Sequence, residues 1–141
     1  MDKKALALAL LREGNTCALV GEEKTLCSKQ RGVAPLLAWL ESGENCQNMF
    51  AADKVVGRAA AFLYILLKVE GVHALVLSES AEKVFQQFGV AYAYNEKVAA
   101  IRNRAGDGFC PMEQAVLCIE EPSEALSAIK RRLLELQEKR V

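Results

Sequence analysis

The chain has 141 residues and no net formal charge, because 18 basic residues balance 18 acidic ones. Hydrophobic residues make up 52% of it and charged residues 26%, which is typical of a globular domain and excludes a disordered or low-complexity chain. The charge balance removes the general attraction to nucleic acids and anionic membranes that basic proteins have. We therefore expect a single domain over residues 1–141 that binds small molecules or proteins. A membrane partner is not expected, and nucleic acid is disfavoured.

The cysteines and the apolar runs indicate a cytoplasmic protein. Five cysteines are widely spaced and contain no C-x-x-C pair, which predicts reduced thiols and neither a disulfide framework nor a zinc ribbon. The apolar run 5–11 ends at Arg12 and Glu13 without a cleavage site, so it predicts a short helix and not a signal peptide. The stretch 55–67 contains Arg58 and is shorter than the ~20 apolar residues that a bilayer requires.

The first half of the chain predicts a helix, a β-hairpin, a second helix, a short strand and a long buried helix. The hairpin is expected because two runs rich in β-forming residues flank the polar turn 21–24. Asp53 stands where a capping carboxylate would begin the long helix, since aspartate is a favoured N-cap residue. The predicted elements are helix 2–12, strands 16–20 and 25–29, helix 34–41, strand 49–52 and helix 53–70.

The second half alternates strands and helices, as in a βαβ unit, before two final helices. Ser78, Glu79 and Ser80 supply the side chains expected before a helix, and Gly89 ends that helix. The terminal helix carries an apolar stripe beside charged positions. The predicted elements are strand 72–77, helix 81–88, strand 90–94, a strand or helical turn at 98–101, a loop at 103–108, helix 112–120 and a terminal helix at about 122–139.

This succession of elements resembles the cytidine deaminase-like fold. Residues 76–94 look like the deaminase strand, metal-binding turn, helix and next strand, with the Pro-Cys-x-x-Cys motif replaced. The resemblance covers about residues 5–120, and it implies a three-layer α/β/α sandwich whose mixed sheet starts with a hairpin. Further stretches resemble an uncharacterised bacterial family of this fold: residues 32–36, 52–61, 103–104 and 110–113.

The zinc site of the deaminases has no counterpart in this sequence. Zinc deaminases have a His or Cys at the start of the first core helix, a catalytic Glu two residues later, and two thiolates at the start of the second helix. By the resemblance, the corresponding positions hold Asp53, Val55, Ala81 and Val84, and no H-x-E, C-x-E or C-x-x-C occurs in the chain. We therefore expect no metal and no cofactor, and we exclude hydrolytic deamination. His73, the only histidine, lies in a predicted strand and is interpreted as structural.

The resemblance implies a ligand pocket at the N-termini of the two core helices. Free N–H groups and the helix dipoles favour an anion there. The expected lining residues are Asp53, Lys54, Ser78, Glu79 and Ser80. Capping alone would also account for Asp53 and Ser80, so both interpretations stay open. A lysine in a first helical turn opposes the dipole, so Lys54 is a hint of an anionic ligand or of a neighbouring carboxylate, although exposed lysines also tolerate such positions.

A second candidate cluster precedes the helix that is predicted after Pro111. Arg104 and the glycine-rich backbone around it could bind a phosphate, although an ordinary loop is the alternative. Cys110 lies just before the helix, a position that lowers the pKa of a thiol, and Glu113 or Asp53 would then transfer its proton. A buried structural cysteine is the competing interpretation.

Three functions follow from these patterns. The first is binding of a nucleotide-like or phosphorylated small molecule by Asp53, Lys54, Arg104 and Cys110, with Ser78, Glu79 and Ser80 completing the pocket. The second is a thiol-dependent enzyme or redox sensor that uses Cys110 and Glu113 as its catalytic residues. The third is a structural module that forms a homo-oligomer through the terminal helix and the hairpin edge.

Overall fold

A five-stranded mixed sheet is the middle layer of the structure, a computed structural model that describes residues 2–102, 106, 108 and 110–138. The strands are β1 (Cys17–Val20), β2 (Thr25–Ser28), β3 (Phe50–Val56), β4 (Gly71–Ser78) and β5 (Ala91–Val98). Their order in the sheet is β2-β1-β3-β4-β5. β1 pairs antiparallel with β2 and β3, whereas β3, β4 and β5 are parallel. The predicted α/β class and the mixed sheet that starts with a hairpin are therefore confirmed.

Helices cover both faces of this sheet. They are α1 (Lys3–Arg12), α2 (Ala34–Glu41), α3 (Arg58–Leu67), α4 (Glu79–Phe88), α5 (Pro111–Ala115) and α6 (Pro122–Glu138). Successive residues of a strand point to opposite faces. Val20 and Ala52 accordingly pack under α1, while Leu19 and Ala51 belong to the larger core beneath α2, α3, α4 and α6.

β3 is longer and α3 begins later than the sequence predicts. The prediction that Asp53 caps the long helix is wrong, because β3 continues to Val56 and Gly57 is the N-cap of α3. Asp53 pairs with Ala74 of β4, and this pairing between distant segments outweighs the local capping preference of aspartate. Lys54 is consequently an exposed strand residue and does not lie in a first helical turn.

Smaller corrections concern the elements that follow. Ser78, and not Ser80, caps α4, since its Oγ accepts a hydrogen bond from the Ala81 N–H at 3.0 Å. β5 extends four residues beyond the predicted strand, and residues 99–101 form neither the strand nor the helical turn. α5 spans five residues and ends well before the predicted boundary at residue 120.

The terminal helix α6 is part of the domain's own core. Ala125 and Ile129 are fully buried and belong to the cluster that contains α3, and the Arg132 guanidinium donates to the backbone oxygen of Pro111 at 2.9 Å. Leu134 lies on the same helix but is 60% exposed. Among the described residues, no helix has the length and apolarity needed to cross a membrane.

The packing of α6 predicts unequal effects of two alanine substitutions. Ile129→Ala should lower the free energy of unfolding by about 2–5 kcal/mol, because it leaves a cavity in the core. Leu134→Ala, the matched control on the same helix, should change it by less than about 0.5 kcal/mol. Urea unfolding of the two variants measures both values. Similar small effects would contradict the described packing of α6.

Candidate functional site

A cavity of about 220 Å³ opens where the parallel strands reach their carboxyl ends. The first residues of α3 and α4 form one side of the cavity. The segment after β5 forms a second side, and α5 together with the turn after it forms the third. Carboxyl ends of parallel strands are the usual place for ligand sites in α/β sheets. The lining residues are Arg58, Ser78, Ser80, Ala99, Ala100, Ile101, Glu113, Gln114 and Leu117.

Arg58 supplies the positive charge of the cavity from the first position of α3. Its guanidinium donates to the backbone oxygens of Val116 and Ile119 and, at 3.2 Å, to Ser80 Oγ. It also lies over the ring of Phe62, 5.0 Å from the ring centre. None of the ion pairs between described residues involves Arg58. Carbonyl and hydroxyl oxygens therefore hold the guanidinium in place without neutralising it.

Glu113 caps the N-terminus of α3 from a distant part of the chain. Its carboxylate accepts the backbone N–H of Arg58 at 2.6 Å and that of Ala59 at 2.9 Å. These N–H groups have no partner within the helix, and the N-cap residue, Gly57, has no side chain to supply one. The negative charge of Glu113 also lies at the positive end of the α3 dipole.

Gly57 is required by the position of this carboxylate. A Cβ atom built on Gly57 would lie 2.3 Å from Glu113 Oε1, far inside van der Waals contact. The backbone at Gly57 is extended, with φ −100° and ψ −174°, and any residue adopts that conformation. Space for the carboxylate, and not backbone strain, is therefore what excludes a side chain at this position.

A side chain of the protein also caps the N-terminus of α4. Ser78 is 1% exposed and its Oγ caps the helix, while Ser80 Oγ accepts from Arg58. Glu79 and Glu82 add negative charge to the first turn. Glu113 at α3 and Ser78 at α4 thus accept N–H groups that a phosphate would otherwise use.

Some of the predicted site residues line the cavity and others do not. Ser78, Ser80 and Glu113 are brought together there, although Ser80 and Glu113 are 33 positions apart in the chain. Glu79 begins α4 but is not among the lining residues. Arg104 lies outside the described residues, so its predicted phosphate contact stays a prediction.

Cys110 lies near the cavity but does not line it. It is the N-cap of the five-residue helix α5, and its half-buried side chain packs against the large core. Its backbone N–H donates to the Ile101 oxygen at 3.1 Å, which ties the start of α5 to the segment after β5. These contacts suit the structural interpretation of this cysteine better than the reactive one.

Asp53 takes part in a buried contact between β3 and α3, away from the cavity lining. The carboxylate is 8% exposed and accepts hydrogen bonds from Tyr64 Oη at 2.6 Å and from the Val55 N–H at 3.3 Å. Burial raises the pKa of Asp53 to about 7, although these hydrogen bonds oppose the rise. Burial and the nearby Asp53 charge also raise the pKa of the Cys17 thiol far above its usual value. The contact indicates a structural role for Asp53.

His73 likewise bonds within the sheet. Its Nε2 lies 2.6 Å from Asn95 Oδ1 on the neighbouring strand, and its Nδ1 is buried without a partner among the described residues. The ring therefore links β4 to β5 outside the cavity lining, in keeping with the structural interpretation.

The residues at the two helix N-termini do not suit a zinc ion. Arg58 and Ala59 begin α3, and Ser80 and Ala81 lie in the first turn of α4, so neither turn offers the His or Cys ligands that the zinc deaminases use. The alignment of Asp53 and Val55 with the deaminase site is wrong, since both residues lie in β3. In the part of the chain that the structure describes, no three His, Cys, Asp or Glu side chains are grouped closely enough to hold a metal ion.

Arg58 is the main cavity residue that the sequence analysis does not identify. Its signal is a single arginine directly after a glycine, between an apolar strand and the apolar run of α3. In the sequence this arginine indicates only an interruption of an apolar stretch. In the structure it marks the start of the buried helix α3. Leu117, 70% exposed at the cavity, has no comparable signal.

The fold and the cavity together define an α/β domain with a candidate ligand site at the carboxyl edge of a parallel ladder. A family model described as a domain of unknown function, DUF1893 (TM1506), matches residues 6–133, and the chain belongs to this family. The crystal structure of a DUF1893 family protein, TM1506 of Thermotoga maritima, is 26% identical and superposes with a TM-score of 0.83. That match covers 94% of this chain and 92% of the other. No curated protein matches the chain. The expected membership of an uncharacterised family is confirmed.

The contact between Glu113 and Gly57 predicts coupled effects of substitution. Gly57→Ala should lower the free energy of unfolding by about 1–3 kcal/mol, because the new methyl group displaces the carboxylate. In a Glu113→Ala background the same substitution should cost little, since the space is already empty. Urea unfolding of the two single variants and the double variant measures the coupling, expected at about 0.5–3 kcal/mol. Additive effects would contradict the contact.

The buried Asp53 predicts a pH-dependent difference between the wild type and Asp53→Asn. Because the folded pKa is raised from 3.8 to about 7, Asp53 stays protonated in the folded protein while it ionises in the unfolded chain. Its contribution to stability is thus greatest below about pH 4 and is lost as the pH rises to about 7. Asn keeps an acceptor for Tyr64 and does not ionise.

Urea unfolding between pH 4 and pH 8 tests this prediction. The stability of Asp53→Asn relative to the wild type should increase with pH, by up to a few kcal/mol. A difference that stays constant, or that changes in the opposite direction, would show that Asp53 is ionised when the protein is folded.

Proposed function

We propose that this DUF1893 protein is a binding domain with a cytidine deaminase-like fold, and that it binds a nucleotide-like small molecule by enclosing its ring in the cavity. The observation that carries the proposal is the cavity at the carboxyl ends of β3, β4 and β5. It combines largely apolar walls with a few convergent polar groups from Arg58, Ser80 and Glu113. Small-molecule sites commonly have this combination.

The order of the elements supports the fold assignment within this proposal. An antiparallel hairpin precedes two parallel crossovers, and the two core helices α3 and α4 both begin at the same edge of the sheet. This is the order on which the resemblance to the cytidine deaminase-like fold rests. The pocket that we propose therefore lies where the resemblance implies, at the N-termini of the two core helices. Arg58 and Glu113 line it in place of Asp53 and Lys54.

The size of the cavity limits what part of a ligand it encloses. At about 220 Å³ it is smaller than the ~300–1,000 Å³ of typical pockets for drug-sized ligands. A single heterocyclic ring fits this volume better than a complete nucleotide does. A sugar attached to the ring would then extend towards the exposed side chain of Leu117.

Arg58 provides the polar recognition. A guanidinium has five N–H groups, and its contacts with described residues use three of them, which leaves two for an oxygen atom of the ligand. Ser80 Oγ already accepts from Arg58, and its own hydroxyl proton can be donated to a second ligand atom. A ring with a carbonyl oxygen beside a nitrogen acceptor, as in the nucleobases, matches this pair of groups.

The other two functions have less support. Cys110 lies outside the cavity lining and packs against the core, which does not favour a thiol-dependent reaction in the cavity. Ala125 and Ile129 of α6 are buried within their own domain, so these two residues are not available to contact a second copy. A homo-oligomer stays a prediction.

A thermal-shift titration with nucleobases, nucleosides and nucleoside monophosphates tests the proposal. A ligand at about 100 times its dissociation constant should stabilise the fold by ~2.7 kcal/mol, which raises the melting temperature by several degrees. Ala100→Phe should abolish the shift by filling the cavity, whereas Ala5→Phe on exposed α1 should leave it unchanged. The absence of any shift in the panel, or an undiminished shift in Ala100→Phe, would contradict the proposal.

A further inference from the structure

We propose that Glu113 determines the ligand class of the cavity, because its carboxylate occupies the N-terminus of α3 and so restricts the cavity to uncharged ligands. The inference rests on the proposed function and narrows it. The bound molecule would be a nucleobase or nucleoside, and its phosphorylated form would be rejected. Glu113 is then a specificity-determining residue and not a proton-transfer partner of Cys110.

The hydrogen bonds of Glu113 take up two N–H groups that a phosphate would use. Helix N-termini bind anions through backbone N–H groups that have no partner within the helix. At α3 the carboxylate of Glu113 accepts two of these groups, the N–H of Arg58 at 2.6 Å and that of Ala59 at 2.9 Å. A phosphate oxygen would have to displace the carboxylate to reach them.

Gly57 shows how closely the backbone encloses this carboxylate. The position of a Cβ atom on Gly57 lies 2.3 Å from Oε1 and 2.5 Å from the carboxyl carbon of Glu113. The carboxylate thus occupies space that a side chain at residue 57 would otherwise take. This close contact fixes the carboxylate of Glu113, an anion of the protein itself, at the N-terminus of α3.

The charges around the cavity also disfavour a second anion. Among the described residues that line it, Arg58 and Glu113 are the charged ones, and their formal charges cancel. An anionic ligand would add a negative charge beside the Glu113 carboxylate, whereas an uncharged ring leaves the balance intact. The first turn of α4 also disfavours an anion, because Ser78 Oγ accepts the Ala81 N–H and Glu79 and Glu82 add negative charge.

A titration with inorganic phosphate tests the role of Glu113 without a known ligand. Phosphate replaces chloride at constant ionic strength, and the amide signals of Arg58 and Ala59 are followed by NMR together with the melting temperature. In the wild type we expect no saturable change in either quantity. In Glu113→Ala the vacated N–H groups should bind phosphate, which shifts both amide signals and raises the melting temperature in a saturable way.

Two further variants keep this test decisive. Glu113→Gln loses the charge and keeps one acceptor oxygen in place of two, so it should preserve the fold, release one of the two N–H groups and still gain a phosphate response. Glu120→Ala removes an exposed carboxylate outside the cavity lining and should behave as the wild type. A saturable phosphate response of the wild type at these amides, or no response in either Glu113 variant, would overturn the inference.

A comparison of nucleosides with their 5′-monophosphates separates this inference from the proposed function. The wild type should bind the nucleoside at least tenfold more tightly than the monophosphate, and Glu113→Gln should reduce or reverse that preference. Equal affinities in the wild type would overturn the inference while the proposed function survives. If no nucleoside binds, the proposed function fails, and the phosphate titration still decides whether Glu113 excludes anions.

Discussion

The carboxylate of Glu113 links α5 to the first turn of α3, and the geometry of the cavity depends on this link. It replaces the side-chain cap that Gly57 cannot supply, and it requires a glycine there because a Cβ atom would overlap it. The same first turn positions Arg58, whose guanidinium bonds to the backbone just after α5 and to Ser80 of α4. One carboxylate and one guanidinium thus connect three elements around a single opening.

The rest of the fold supports these two side chains. β3 leads directly through Gly57 into α3, so the position of Arg58 is set by the parallel pairing of β3 with β4. The hydrogen bond from Tyr64 to Asp53 ties α3 back to the same strand, two turns beyond the cavity. α6 packs against α3 through Ala125 and Ile129 and contacts the start of α5 through Arg132. Packing of buried side chains therefore fixes the positions of α3 and α5, which line the cavity.

Local sequence patterns are sufficient to predict much of the fold and part of the candidate site. The hairpin, α2 and the strand–helix–strand run that includes α4 follow from residue preferences within a few positions, and Ser78 and Ser80 were identified for the same reason. Asp53 was misplaced because its capping preference is local, whereas its pairing with Ala74 joins distant segments. The sequence predicts Glu113 as a helix-start residue and as a catalytic partner of Cys110, but not as a cap of α3, because the N–H groups that it accepts lie 54 and 55 residues away. A single sequence carries no local signal for such a contact.

Amide hydrogen exchange measured by NMR tests the central claim most directly, which is that Glu113 caps α3. In the wild type the Arg58 and Ala59 amides should exchange slowly. In Glu113→Ala both should exchange at least tenfold faster relative to Ala61, whose N–H bonds to the Gly57 oxygen and serves as an internal reference. Unchanged protection of Arg58 and Ala59 in the variant would contradict the account, because the two amides would then be satisfied without the carboxylate.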